Sequence, residues 1–260
     1  MTRTLRAGPL ELVPLRERPD LIGAVFAPTI QGAWPEFMRH DPAAELYFGD
    51  GHLDHWLDTA FAIRDAEDPG HVVGRAFAVP FVLSEEVERS ALPDDGWDGV
   101  IRWAHADRVL GRAPNALSAL EITLVPSWRG RGVSLAIVRA FAACARARGL
   151  AHLVAPVRPT AKSLEPTTGM ADYVARCTPD GLPADPWMRV HVRAGGVIEK
   201  IAPVSMVVPG TLAQWRAWTG LALDRSGAWS VPGALVPVHV SIEQDHAVYV
   251  EPNVWVRHRV

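Results

Sequence analysis

The segment Ala119 to Leu150, ALEITLVPSWRGRGVSLAIVRAFAACARARGL, constrains the fold more than any other part of the chain. It joins an apolar strand to a helix through Arg129-Gly130-Arg131-Gly132-Val133-Ser134. Leu120, Ile122 and Leu124 alternate with Glu121, Thr123 and Val125, the period of a strand, and Pro126 then ends ladder pairing. By that alternation Glu121, Thr123 and Val125 share one face, opposite the three aliphatic residues. Leu135, Val138, Phe141 and Ala142 follow at helical spacing, and Gly149 stands where a C-terminal cap belongs. A helix that starts near Val133 leaves its first N–H groups without intrahelical partners and places the positive end of its dipole at the same point, so the turn attracts anions. Gly130 and Gly132 have no Cβ and let a ligand approach the backbone, while Arg129 and Arg131 add charge for phosphates. An ordinary strand-turn-helix with solvating arginines is the bland alternative; both flanks together with the spacing favour a pyrophosphate site.

The spacing separates the families that use such a turn. A P-loop needs Gly, four residues, Gly, Lys and then Ser or Thr, and neither Gly130 nor Gly132 is followed by the Lys. A dinucleotide fingerprint needs Gly at 135, where Leu135 stands, and an acidic residue about 20 positions on, where the chain reads Gly149-Leu150-Ala151-His152-Leu153. What remains resembles the acyl-CoA-binding signature of the GCN5-related N-acetyltransferases: Gln or Arg, two residues, Gly, one residue, then Gly or Ala. Residues 129–134 match it except at Ser134, which is small enough to keep the approach open.

The resemblance implies an α/β (α+β) fold with a mixed central sheet, a splayed pair of parallel strands and helices on both faces. The pantetheine arm of an acyl-CoA lies in the gap of such a sheet, bonded to strand backbone. Thr123, Leu124, Val125, Arg129, Gly130, Arg131, Gly132, Val133 and Ser134 are thereby expected to hold acetyl-CoA or another acyl-CoA as co-substrate. Ala151 to Val157 is a short apolar strand that completes a β-α-β unit with parallel strands.

The rest of the chain reads as an enlarged member of that family. Leu10 to Leu15 forms a first strand, and Arg18 to Met38 is helical material broken by Pro28 and Pro35. Trp56 to Arg64 and His71 to Leu83 are two strands joined by a polar turn. Asp94 to Leu110 has the spacing of a helix and is read as an insertion. Pro159 to Pro186 is a long Pro-, Gly- and Thr-rich connection of the kind that forms lids or acceptor walls. Trp187 to Ala194 is helical, a strand begins at Gly195, Thr211 to Thr219 is a short helix, and strands follow around Val236 to Ile242 and Ala247 to Arg257. The expectation is one elaborated domain over residues 1–260, with an acyl-CoA core at about 115–160 and C-terminal strands at about 195–260.

Acyl transfer from a thioester to an amine needs a neutral amine, a held carbonyl and a proton for the departing thiolate. Glu121 lies where many relatives carry a general base, and a partly desolvated carboxylate suits that work; the competing role is an ion pair with Arg102 or Arg108. Aligning Gly195 with the family's glycine places His191 where the family usually has Tyr, so His191, as an imidazolium, is the expected proton donor to the thiolate. Its competing role is packing against the sheet. Tyr173, in the long connection, is the alternative donor. The family's usual residue after the second parallel strand, often Asn, is absent from Val157-Arg158-Pro159-Thr160.

The expected activity is an acyl-CoA-dependent N-acyltransferase, with acetyl transfer to a small-molecule amine by direct attack in a ternary complex. Decarboxylation of malonyl-type thioesters on the same fold and a non-catalytic acyl-CoA-binding module are the alternatives. A net charge of -3 without a run of like charges gives no nucleic-acid surface, and no segment approaches 18 consecutive apolar residues. No nucleic-acid or membrane partner is expected, a homodimer is compatible with the reading, and the expected location is cytoplasmic. His52 and His55 have HxxH spacing and Cys144 and Cys177 have none that suits a metal, so no metal is expected. The ten Trp residues serve core packing or line a bulky acceptor pocket. Glu251-Pro252-Asn253-Val254-Trp255 packs over the acceptor cleft without an assigned chemistry.

Overall fold

A computed structural model describes residues 3–260. Strands β1 (Leu5–Ala7) and β2 (Leu10–Pro14) pair antiparallel at one sheet edge. From Pro19 to Phe48 the chain forms only short turns of helix: α1 (Ile22–Val25), α2 (Pro28–Gln31) and α3 (Glu45–Phe48), with 3-10 turns over Pro19–Leu21, Glu36–His40 and Pro42–Ala44. Pro19, Pro28, Pro35 and Pro42 lack an N–H and disfavour the helical conformation in the residue before them, which divides the segment.

Strands β3 (Ala60–Asp65) and β4 (Val72–Phe81) form the hairpin read from the sequence, and α4 (Gly96–Val109) is the inserted helix. The central unit is β5 (Ala116–Leu124), α5 (Val133–Ala147) and β6 (His152–Val157), with β5 and β6 parallel. The long connection holds α6 (Met170–Val174) and an isolated bridge between Cys177 and Pro183, and leads into α7 (Pro186–Arg193). Strand β7 (Gly196–Thr211) runs into α8 (Leu212–Thr219), where Thr211 and Gln214 make a reciprocal capping box. Strands β8 (Gly227–Trp229), β9 (Val238–Ser241) and β10 (His246–Arg259) complete the chain.

These strands build one sheet in the order β1-β2-β3-β4-β5-β6-β10-β9-β8, and β7 also pairs with β10. β10 has β7 along one edge and shares the other between β9 (246–248) and β6 (254–259). Apolar clusters cover both faces. One gathers Phe37, Tyr47, Phe77, Val100, Ile101, Trp215, Tyr249 and Trp255 beneath α4 and the N-terminal turns. The other packs α5 and α7 over Phe61, Ile63, Leu117, Leu153, Val254 and Val256. Each large side chain so buried contributes about 1.5–3 kcal/mol. The buried stripe of α5 is Val133, Ile137, Val138, Ala140, Phe141, Cys144 and Ala145, so the expected Val138 and Phe141 are buried while Leu135 and Ala142 are only half-buried. Nearly every residue from Val133 to Ala142 is apolar, so periodicity alone did not select the stripe. No helix among the described residues is long and apolar enough to cross a membrane.

Two irregularities in the middle of the sheet position the site. Strands β5 and β6 pair at Ala116↔His152, Leu117↔Leu153 and Ser118↔Val154, then part, although β5 continues to Leu124 and β6 to Val157. Each is held by its outer neighbour, β5 by β4 and β6 by β10, so the gap stays open. The register of β4 against β5 also slips, from Phe77↔Glu121 to Ala78↔Ala119, leaving Leu120 as an extra residue. The Leu120 carbonyl accepts a hydrogen bond from Trp97 Nε1 at 3.2 Å. The slip breaks the expected alternation: Leu120 packs in the cluster beneath α4, whereas Ile122 and Leu124 pack with α5 on the opposite face.

Candidate active site

The gap between the parting strands opens into a cavity of about 700 Å³, within the range of small-molecule sites. It is lined by Leu124, Arg129, Gly130, Ser134 and the end of β6, and by Phe26, Trp34, Met38, Asp41, Phe48 and Trp97. The helical turns before β3 thus supply part of its wall.

At that turn Gly130 and Gly132 have φ of 73° and 75°, in the left-handed region that costs other residues about 1–2 kcal/mol. No side chain caps α5, so its first N–H groups are free to receive an anion. The arginines are already engaged by the protein. Arg129 Nε donates to the Leu124 carbonyl at 2.8 Å, which fixes its guanidinium beside the strand end, and the Arg131 guanidinium lies 4.6 Å from the centre of the Trp128 ring. Of the expected acyl-CoA residues, Thr123, Leu124, Arg129, Gly130 and Ser134 line the cavity; Val125, Arg131, Gly132 and Val133 do not. Ser134 adds no bulk that closes the approach, so the open turn, the uncapped helix and the unpaired strand edges fit an acyl-CoA.

Glu121 lies beside the bulge and lines the cavity. Its Oε1 accepts from Arg75 Nε at 2.7 Å, Thr123 Oγ1 at 2.6 Å and Trp34 Nε1 at 3.0 Å. Its ion-pair partner is therefore Arg75 on β4, not Arg102 or Arg108. Arg75 is held in turn by the Val25 carbonyl and by the rings of Phe26 and Phe77. Among the described residues no donor reaches Oε2 of Glu121. One carboxylate oxygen is thus fixed by three donors and the other receives none among the described residues.

The expected proton donors stand differently. His191 on α7 lines the cavity, but its ring is buried and its Nδ1 lies 3.0 Å from Nε2 of His258, itself buried. Burial, then the neighbouring imidazole, lowers the His191 pKa to about 3, and burial lowers that of His258 to about 4. Both are neutral at pH 7, so the expectation of an imidazolium donor at His191 is corrected by desolvation. Tyr173 on α6 is not among the residues that line the cavity. Its hydroxyl donates to Asp185 Oδ2 at 2.9 Å, and Asp185 also caps α7, so Tyr173 braces the connection.

A second buried carboxylate was visible in the sequence without an assigned role. Glu251 on β10 lines the cavity and is fully buried. Arg158 Nε donates to it at 2.9 and 3.1 Å, Tyr249 Oη at 2.7 Å and Asn253 Nδ2 at 3.0 Å. Asn253 accepts in turn from Ser205 Oγ, which receives the backbone N–H of Trp97. Arg158 occupies the segment where the family's Asn is missing. Three of the tryptophans, Trp34, Trp97 and Trp187, line the cavity, while Trp56, Trp215 and Trp255 are buried in the core.

No family model matches the chain. The arginine N-acetyltransferase avaD of Aspergillus versicolor is 32% identical over 271 residues, which cover 94% of this chain and 91% of that protein. The loading GNATL domain of CurA from Lyngbya majuscula superposes with a TM-score of 0.54 at 15% identity, covering 96% of each chain, a likeness of fold alone. With a relative of that identity over nearly its whole length, and with the parting strands and uncapped helix that the signature implies, the chain belongs to the GCN5-related N-acetyltransferase superfamily.

Proposed function

We propose that this protein transfers an acetyl group from acetyl-CoA to the amine of a small cationic acceptor, arginine or a close analogue, by direct attack in a ternary complex. The observation that carries the reading is the position of Glu121, on the strand that borders the gap and facing the cavity with one oxygen uncommitted. The acyl-CoA enters from the uncapped end of α5 and supplies the thioester. The acceptor lies among the residues from Phe26 to Phe48. As the amine nitrogen bonds to the carbonyl carbon and the C–S bond breaks, Glu121 takes the amine proton, directly or through water, and CoA leaves as the thiolate, which takes a proton from solvent. The identity to an arginine N-acetyltransferase supports arginine as the first acceptor to test.

The test incubates the protein with acetyl-CoA, or separately with malonyl-CoA, in the presence and absence of arginine, agmatine and lysine. Free thiol and acetylated product that depend on the amine are expected. Carbon dioxide released from malonyl-CoA without an amine would overturn the transferase reading, as would no turnover with any amine.

A further inference from the structure

Asp41 and Asp98 form a carboxyl pair that the acyl-transfer chemistry leaves unused. Asp41 follows the Glu36–His40 turn and lines the cavity; Asp98 comes from α4 behind it. They are 4% and 3% exposed, burial that a carboxylate tolerates only with a partner. Asp41 Oδ1 accepts from the Ala43 N–H at 2.8 Å and Asp98 Oδ2 from the Val207 N–H at 3.2 Å. The other two oxygens, Asp41 Oδ2 and Asp98 Oδ1, are buried and receive no donor from any other group among the described residues. The two carboxyl groups face each other, and the charge of Asp41 adds to the rise of the Asp98 pKa.

Glu45 also lines the cavity but is exposed to solvent; among the buried carboxylates there, the remaining charges single this pair out. Glu121 is matched by Arg75 and Glu251 by Arg158, so those carboxylates of the cavity carry their own cations. Asp41 has none. The cation facing the pair from α4 is Arg102, whose Nη1 lies 3.9 Å from Asp98 Oδ2 while its Nη2 is bonded to Asp95 at 2.6 Å on the outer surface. β10 presents the already neutralised Glu251, β7 the Val207 amide, and the Pro42–Ala44 turn the Ala43 amide. Burial raises both carboxyl pKa values, and burial together with the neighbouring Asp41 pushes that of Asp98 to about 9, so Asp98 is protonated at pH 7.

We propose that the Asp41–Asp98 pair is the subsite for the cationic group of the acceptor, with Asp41 as the carboxylate in contact with it. A planar guanidinium brings several N–H donors and the close positive charge that Asp41 lacks. Its arrival stabilises the second carboxylate, and the proton of Asp98 leaves to solvent. This deepens the reading of the cavity as an acceptor site for a cationic amine, and rests on it for the acceptor's identity.

The experiment uses n-butylguanidinium and its neutral isostere n-butylurea, neither of which is acetylated through a primary amine, titrated calorimetrically into the CoA-loaded protein. The wild type is expected to favour the guanidinium by at least roughly tenfold, with release of up to one proton seen as a buffer-dependent enthalpy at pH 7. Asp41→Asn/Asp98→Asn keeps the shape and removes the charge, and should abolish the preference while CoA affinity is retained. Asp98→Asn alone, whose amide can donate to Asp41, should keep the preference and lose the proton release. A wild type that does not distinguish the probes, or a double variant that keeps the preference, overturns the proposal. Thiol release from acetyl-CoA with arginine is read separately: its absence beside an intact guanidinium preference overturns the transferase reading and supports this subsite.

Discussion

Arg75 Nε donates to Glu121 Oε1 at 2.7 Å across the β4–β5 pair, at the point where the register of those strands slips. The guanidinium, Thr123 and Trp34 all meet on one oxygen, so the orientation of the carboxylate is set by three elements at once: β4, β5 and the segment after α2. Such a carboxylate is positioned before any substrate arrives.

Glu121→Gln should lower kcat by about 10²–10⁴ with little change in KM for acetyl-CoA, because the amide keeps the shape and loses the base. Steady-state kinetics across pH check it. An unchanged rate and pH profile would remove Glu121 from the chemistry.

Gly132→Ala should cost about 1–2 kcal/mol through its positive φ, since a Cβ there meets no neighbour within 4 Å. Gly130→Glu, which adds negative charge on the cavity lining at the turn, should abolish CoA binding. Thermal unfolding reads the first and calorimetry with CoA the second; retained CoA affinity in Gly130→Glu would sink the pyrophosphate assignment.

Arg158→Met leaves Glu251 buried without its cation and should destabilise by about 3–5 kcal/mol. Adding Glu251→Gln removes the stranded charge, so the double variant should be more stable than Arg158→Met. A urea-denaturation cycle measures the coupling. Additive losses would show that the pair does not act as a unit.

His191 and His258 have folded-state pKa values of about 3 and about 4, below the ordinary value of 6.5. Between those limits the unfolded chain binds more protons, so the stability they contribute is complete above pH 6.5 and is lost as pH falls. For His191 the loss is roughly 2 kcal/mol between pH 6.5 and pH 5. His191→Gln should flatten that slope, and a variant with the wild-type slope would contradict the buried neutral pair.

Tyr173→Phe should leave kcat within about twofold and cost about 1 kcal/mol of stability, the usual worth of one hydrogen bond. A large fall in kcat at unchanged stability would return Tyr173 to the reaction.

Much of the frame was legible in the chain. The strand-turn-helix over residues 119–150, the inserted helix at Gly96–Val109 and the hairpin before it follow from local periodicity and from Pro and Gly positions, which act over a few residues. The bulge at Leu120 was not legible, since an extra residue in a ladder is defined only against the partner strand. For the same reason the sharing of a face by Leu120 and Ile122 was expected and is not found. The surroundings of His191 and Tyr173 were not legible on similar grounds: a histidine's charge depends on the burial that α7 and β10 impose, and Tyr173 is turned toward Asp185 by the path of the connection.

The sequence by itself determined the glycine-arginine turn, because a turn between a strand and an uncapped helix is a local object, complete within six residues. The tertiary structure alone decided how the charged groups of the cavity pair. Glu251 meets Arg158 across 93 positions, Arg75 meets Glu121 across 46, and Asp98 reaches Asp41 from another helix. Charge compensation in a low-dielectric interior depends on distance in space, so only the folded chain reveals which buried carboxylates are matched by a cation.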